Sequence, residues 1–144
     1  MKKGDIAYKV VEKRTRLCTN LAIYRKYVEN SKVLELNKLY PLLFPRYRKG
    51  KILEADGRTE GFFVFEDKFY AQDFIDTEGL LECGDVKILR VRLLDTPKQP
   101  ERVIEGCGGS PIRIYRMLGR SILWNALRPA PKGSWVCHKI EVLD

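Results

Sequence analysis

Residues 59–75, TEGFFVFEDKFYAQDFI, join two patterns in one stretch, and the rest of the chain can be laid out around them. After Gly61, Phe62, Phe63, Val64 and Phe65 run without a polar interruption, the pattern of a strand buried on both faces and lying centrally in its sheet. Asp67 then offers a side-chain oxygen to the open amides of a first helical turn, and residues 68–75 follow with Tyr70/Phe74 and Ala71/Ile75 spaced i,i+4. Gly79 is the expected stop. Three phenylalanines in four positions are read as core in preference to a ligand-binding aromatic wall.

Working outward, residues 86–94 alternate most clearly, with Leu89, Val91 and Leu93 on one face and Arg90 and Arg92 on the other. Ile6–Glu12 alternates as a short strand, followed by a basic turn, and residues 17–23 can pair back on it. Residues 52–55 read as a strand whose Asp56-Gly57 turn would make a hairpin with residues 61–65. The closing run 134–143 reads as one strand with Val136, His138, Ile140 and Val142 on one side. Two further helices are expected: residues 31–43, closed by Pro45, and residues 111–127, entered through Ser110-Pro111 and ended by Pro129. The second has a rival, a strand 112–117 broken from a shorter helix at Gly119. TPKQP at 96–100 is a rigid exposed connection. The expectation is an α+β protein, a single compact domain over residues 1–144, mostly antiparallel sheet of about six strands with two or three helices.

A chain of 144 residues buries enough surface to need no disulfide or metal. The four cysteines, Cys18, Cys83, Cys107 and Cys137, form no C-x-x-C pair, so neither a zinc ribbon nor a redox motif is signalled. No signal peptide and no run of about 18 apolar residues is present, so the expected setting is cytoplasmic, with no membrane partner. Lys and Arg outnumber Asp and Glu 27 to 19, a net charge of +8. That excess serves solubility and also draws the chain toward polyanions.

Basic and aromatic features outnumber catalytic ones. Arg46, Arg48, Lys49 and Lys51 surround Tyr47; Arg90 and Arg92 share a strand face; and Arg113, Arg116 and Arg120 fall in helical phase beside Trp124. Such groups supply phosphate contacts and stacking platforms when they converge on one surface. The EGCGGSP segment lacks both the lysine-hydroxyl pair of a P-loop and a complete dinucleotide fingerprint, and reads as a turn. His138 is the sole histidine, and in a strand its neighbour Cys137 points the other way, which argues against a Cys-His pair. No spacing of Glu60, Glu66, Glu82 or Glu105 singles out an acid and a base, and no cofactor is expected.

Tyr8-Lys9-Val10, Tyr47 with Gly50 and Ala55, residues 61–65 followed by Ala71 and Phe74, the 86–93 strand and the Lys132-Gly133-Ser134 closing run together resemble small phage and prokaryotic proteins with no assigned activity. The resemblance implies a compact sheet-rich domain of viral or mobile-element origin and supplies no site. The GFFVFEDKFYAQDFI and VKILRVRL runs are also similar to ADP-ribosyltransferase-like folds, without the S-T-S triplet of those enzymes and with Glu141 as the only glutamate in the last strand. That likeness implies an NAD- or nucleotide-handling enzyme, with Tyr8, Tyr70 and Glu141 positioning substrate and stabilising charge. The residues themselves favour a non-enzymatic binding module that contacts nucleic acid or an acidic protein.

Overall fold

In the strand spanning Val86–Leu93, Leu89, Val91 and Leu93 are sealed from solvent while Arg90 and Arg92 stand exposed between them, as the two-residue period of a strand requires. This strand belongs to a computed structural model that describes residues 1–17, 38, 41, 45–57, 61–77, 85–100, 102–104 and 127–144. Its elements are β1 (Ile6–Glu12), β2 (Ile52–Glu54), β3 (Phe62–Phe65), α1 (Lys68–Thr77), β4 (Val86–Leu93), β5 (Arg102–Ile104), β6 (Leu127–Pro129), β7 (Ser134–Cys137) and β8 (Lys139–Val142). Six strands pair antiparallel in the order β2-β8-β4-β1-β3-β7, and β5 pairs with β6 as a separate ribbon.

Only His138 separates β7, at one margin of the sheet, from β8, near the other. The sheet therefore rolls until its margins join through one bent strand. The inside of the roll holds Ala7 and Val11 from β1, Phe62 and Val64 from β3, Leu89, Val91 and Leu93 from β4, Cys137 from β7, and Ile140 and Val142 from β8. Full burial of each large side chain in this set contributes about 1.5–3 kcal/mol.

The outside is covered in part by α1. Asp67 Oδ1 accepts from the Phe69 amide at 2.6 Å, capping the first turn. Ala71 and Ile75 then press onto Val10 and Phe65, with Phe63, Tyr70, Phe74, Val86 and Ile88 around them. β3 is thus buried on both faces, as its uninterrupted run predicts. It lies between β1 and β7, however, and the middle of the sheet is taken by β1 and β4, which pair along seven residues from Ile6↔Arg92 to Glu12↔Val86.

Four other expectations change. β2 makes no hairpin with β3: it pairs with β8, Ile52↔Glu141 and Glu54↔Lys139, with Leu53 facing the interior. β3 instead docks on β7, where Gly61, at φ +122, lies so close that a Cβ would sit 2.7 Å from the Cys137 carbonyl oxygen. The closing run is two strands, because the bend at His138 shifts the alternation by one: Trp135 and Cys137 face inward before it, Ile140 and Val142 after it. The carbonyl of His138 accepts from the Ala55 amide at 2.8 Å and that of Lys139 from the Leu94 amide at 2.9 Å, which holds the bend in place. Residue 127 is in β6 rather than at the end of a helix. Within the 96–100 connection Pro97 is buried, and Lys98 exchanges backbone hydrogen bonds with Val136 at 2.9 and 2.8 Å, covering the outer edge of β7.

One helix is therefore present among the described residues beyond the isolated helical position Lys38. The strand expected at 17–23 and the helix expected at 31–43 fall almost wholly, and residues 111–126 wholly, outside them. Among the described residues no helix is long and apolar enough to cross a membrane.

Candidate polyanion-binding surface

The basic segment 46–51 is a turn clamped at both ends. The Lys51 amide donates to the Arg48 carbonyl at 3.1 Å across Gly50, whose φ of +78 lies in the left-handed region that a turn of this kind places at its third residue. On one side Gly50 N donates to Val142 O at 2.7 Å and Val142 N to Lys51 O at 2.9 Å, tying the turn to the end of β8. On the other, Tyr47 N donates to Arg16 O at 2.9 Å, and Arg16 Nε returns a bond to Tyr47 O at 2.6 Å. Arg16 itself sits at φ +56, uncommon for a residue with a Cβ, and its second guanidinium nitrogen donates to the Asp144 backbone oxygen. The side chain that sequence reading passed over as part of a basic turn is thus a brace between β1, the 45–48 segment and the end of β8.

Tyr47 is turned inward. It is 2% exposed, its ring meets Phe62 edge-on at 6.0 Å, and the Lys9 ammonium lies 5.3 Å from its centroid. Lys9 is buried as well, on the interior face between Ala7 and Val11, and donates to the Phe63 carbonyl at 2.8 Å. The aromatic ring that sequence spacing offers as a stacking platform is therefore built into the core. Arg48, Lys49 and Lys51 remain exposed and make no ion pair among the described residues. Arg46 is half-buried, and its Nε is sealed from solvent without a hydrogen-bond partner.

Arg90 and Arg92 are placed differently. Arg90 Nη2 meets Asp144 Oδ1 at 2.8 Å, its Nε lies 3.1 Å from Oδ2, and its own amide donates to Oδ2 at 2.8 Å. The side-chain hydrogen bond from Arg90, then the backbone one, holds the Asp144 carboxyl at about 2, below its ordinary 3.8. The same pairing raises the Arg90 pKa further. Arg92 Nη1 meets Glu141 Oε2 at 2.9 Å, and the register extends that pair into a row, Ile6–Arg92–Glu141–Ile52, across four strands. Ile6 and Ile52 flank it at 37% and 59% exposure.

Both basic groups meet at the end of β8, with Lys51 bonded to Val142 on one side and Val91 paired with it on the other. Their charges differ in availability, since Arg90 and Arg92 are paired while the exposed cations of the turn meet no opposite charge among the described residues. Arg113, Arg116, Arg120 and Trp124 lie outside the described residues, as does Cys107 with its glycine-rich segment. Glu141 is engaged by Arg92, Tyr8 is half-buried opposite Arg90, and Tyr70 lines α1's surface cleft. Cys137 is buried, its thiol 3.1 Å from the Lys139 carbonyl. Among the described residues no group of three or more His, Cys, Asp or Glu side chains is arranged to hold a metal. Compared with protein families, curated proteins and solved structures, the chain matches none.

Proposed function

We propose that this chain is a non-enzymatic binding module of the cytoplasm that contacts nucleic acid through the 46–51 turn. The observation that carries the reading is the set of exposed charges on Arg48, Lys49 and Lys51, which make no ion pair among the described residues and are held on a turn whose backbone is bonded to β8 and to Arg16. The backbone fixed in this way loses little conformational freedom on meeting a phosphate, and the charge of its exposed side chains adds to the long-range attraction of a +8 chain. Arg90 and Arg92 stand beside them as a reserve, available when a phosphate outcompetes Asp144 or Glu141. Arg113, Arg116 and Arg120 extend the surface if they occupy one helix face that ends before Leu127.

Binding of labelled single- and double-stranded DNA and RNA across a salt series tests the reading. Affinity must rise steeply as salt falls, because phosphate contacts release counterions. Absence of binding at low salt sinks it, and retention of an acidic protein under the same conditions would move the assignment to that partner.

A further inference from the structure

Between α1 and the segment entering β7 lies a cleft of about 210 Å³. α1 lines it with a single stripe, Tyr70, Asp73, Phe74 and Thr77, spaced i, i+3, i+4 and i+7. Pro129, Pro131 and Lys132 form the other wall. The Tyr70 ring is fixed there by Gly133, whose φ is +73 and whose added Cβ would lie 2.2 Å from the ring. Phe69 stands edge-on to Tyr70 at 5.7 Å and is itself 70% exposed.

The charges on the two walls do not satisfy each other. Asp73 and Lys132 are both exposed and form no ion pair among the described residues; the Lys132 ammonium lies 5.9 Å from the Tyr70 centroid instead. The cleft therefore offers rings and prolines to a flat ring, a carboxylate to a donor edge and an ammonium to an anion. A nucleotide whose base carries adjacent N–H donors presents those three features together. Guanine does so best, since its N1–H and N2–H form a fork that a carboxylate accepts in parallel. That edge is occupied in a duplex, so the nucleotide must be unpaired.

We infer that the cleft seats one unpaired guanine nucleotide, with its base against Tyr70 and Phe74, its N1 and N2 hydrogens on Asp73 and its phosphate at Lys132. The choice of a nucleotide over other flat zwitterions rests on the nucleic-acid reading of the basic turn. It extends that reading from a charged surface to a strand with an exposed base.

Amide NMR titration of the full chain with GMP, AMP, CMP, UMP, guanosine, inorganic phosphate and phenylalanine tests this. GMP is expected to shift resonances of α1 and Lys132 and to bind on the order of tenfold tighter than UMP. Asp73→Asn should abolish that preference, and Lys132→Gln should reduce GMP to the affinity of guanosine. Both residues are exposed, so both variants keep the fold. The inference is overturned if GMP leaves α1 unshifted, if UMP or phenylalanine binds as well as GMP, or if Asp73→Asn keeps the preference. Failure here leaves salt-dependent oligonucleotide binding by the turn untouched, whereas GMP binding without oligonucleotide binding would retire the turn and keep the cleft.

Discussion

Two basic regions lie on either side of the end of β8, and they differ in how the fold treats their charge. On β4, each arginine faces a carboxylate on the neighbouring chain end or strand, Arg90 against Asp144 and Arg92 against Glu141. On the 46–51 turn, hydrogen bonds fix the backbone, and the cationic ends of Arg48, Lys49 and Lys51 meet no opposite charge among the described residues. Positive charges in the two regions are thus unequal as ligand sites. A polyanion meeting the turn only has to displace water and counterions, while one meeting β4 must also break an ion pair.

The largest difference between the two regions should appear when each set is neutralised in turn. Replacing Arg48, Lys49 and Lys51 together by glutamine should lower the salt dependence of nucleic-acid binding by about three phosphate contacts and remove most of the affinity, with folding unchanged. Replacing Arg90 and Arg92 by glutamine should change binding far less. Fluorescence anisotropy at several salt concentrations reads both variants, and equal losses would show that compensation by Asp144 and Glu141 is irrelevant.

Within β4 itself, stability should divide by face. Leu89→Ala, on the sealed face, should destabilise the protein by about 2–5 kcal/mol in denaturant unfolding, because a cavity remains among its interior neighbours. The adjacent Arg90→Gln should leave the unfolding midpoint nearly where it was. A midpoint that moves as far for Arg90 as for Leu89 would make the β4 ion pairs part of what holds the roll together.

Arg46 sharpens the turn side. A sealed donor with no partner costs about 1–3 kcal/mol, so removing it should be neutral or stabilising. Arg46→Met keeps the length and the packing of the stem, and its unfolding free energy should equal or exceed that of the parent. A clear loss of stability would mean that the guanidinium makes an interaction worth more than the sealed Nε costs.

The smallest effect belongs to Asp144. Its folded pKa of about 2 lies below the ordinary 3.8, so its contribution to stability is complete above about pH 4 and is lost as pH falls toward 2. Because the pair with Arg90 is largely in water, that contribution is small. Asp144→Asn should therefore melt slightly below the parent near neutral pH and together with it at pH 2, as thermal unfolding at the two pH values would record. The same variant should bind nucleic acid a little more tightly, since Arg90 is released. Unchanged binding would show that Arg90 does not face the ligand even when free.

Sequence alone made part of this legible. The alternation of β4 was readable because inside and outside residues differ sharply in polarity, and β1 was readable for the same reason, except that Lys9 takes an inward position beside Tyr47. The α1 entrance was readable from Asp67, whose hydrogen bond to the Phe69 amide is local. The break in the closing run was not, since Val136, Ile140 and Val142 keep the same spacing whether or not the chain bends at His138. The candidate turn was legible as a cluster of charge, whereas the burial of Tyr47 and the approach of Lys132 to the Tyr70 stripe of α1 carried no periodic signal.

Sequence by itself determined the elements whose cause is local: the Phe62–Phe65 strand, the capped helix after it, and the two faces of β4. Periodicity and capping act within a few residues, so they survive without knowledge of the rest of the chain. Only the tertiary structure decided which strands pair and which cations remain free. Antiparallel ladders are made of backbone groups common to every residue, so β2 was as able to pair with β3 as with β8. Arg90 and Asp144 are 54 residues apart in the chain, and nothing short of the rolled sheet brings that carboxylate to one arginine and not to the turn beside it.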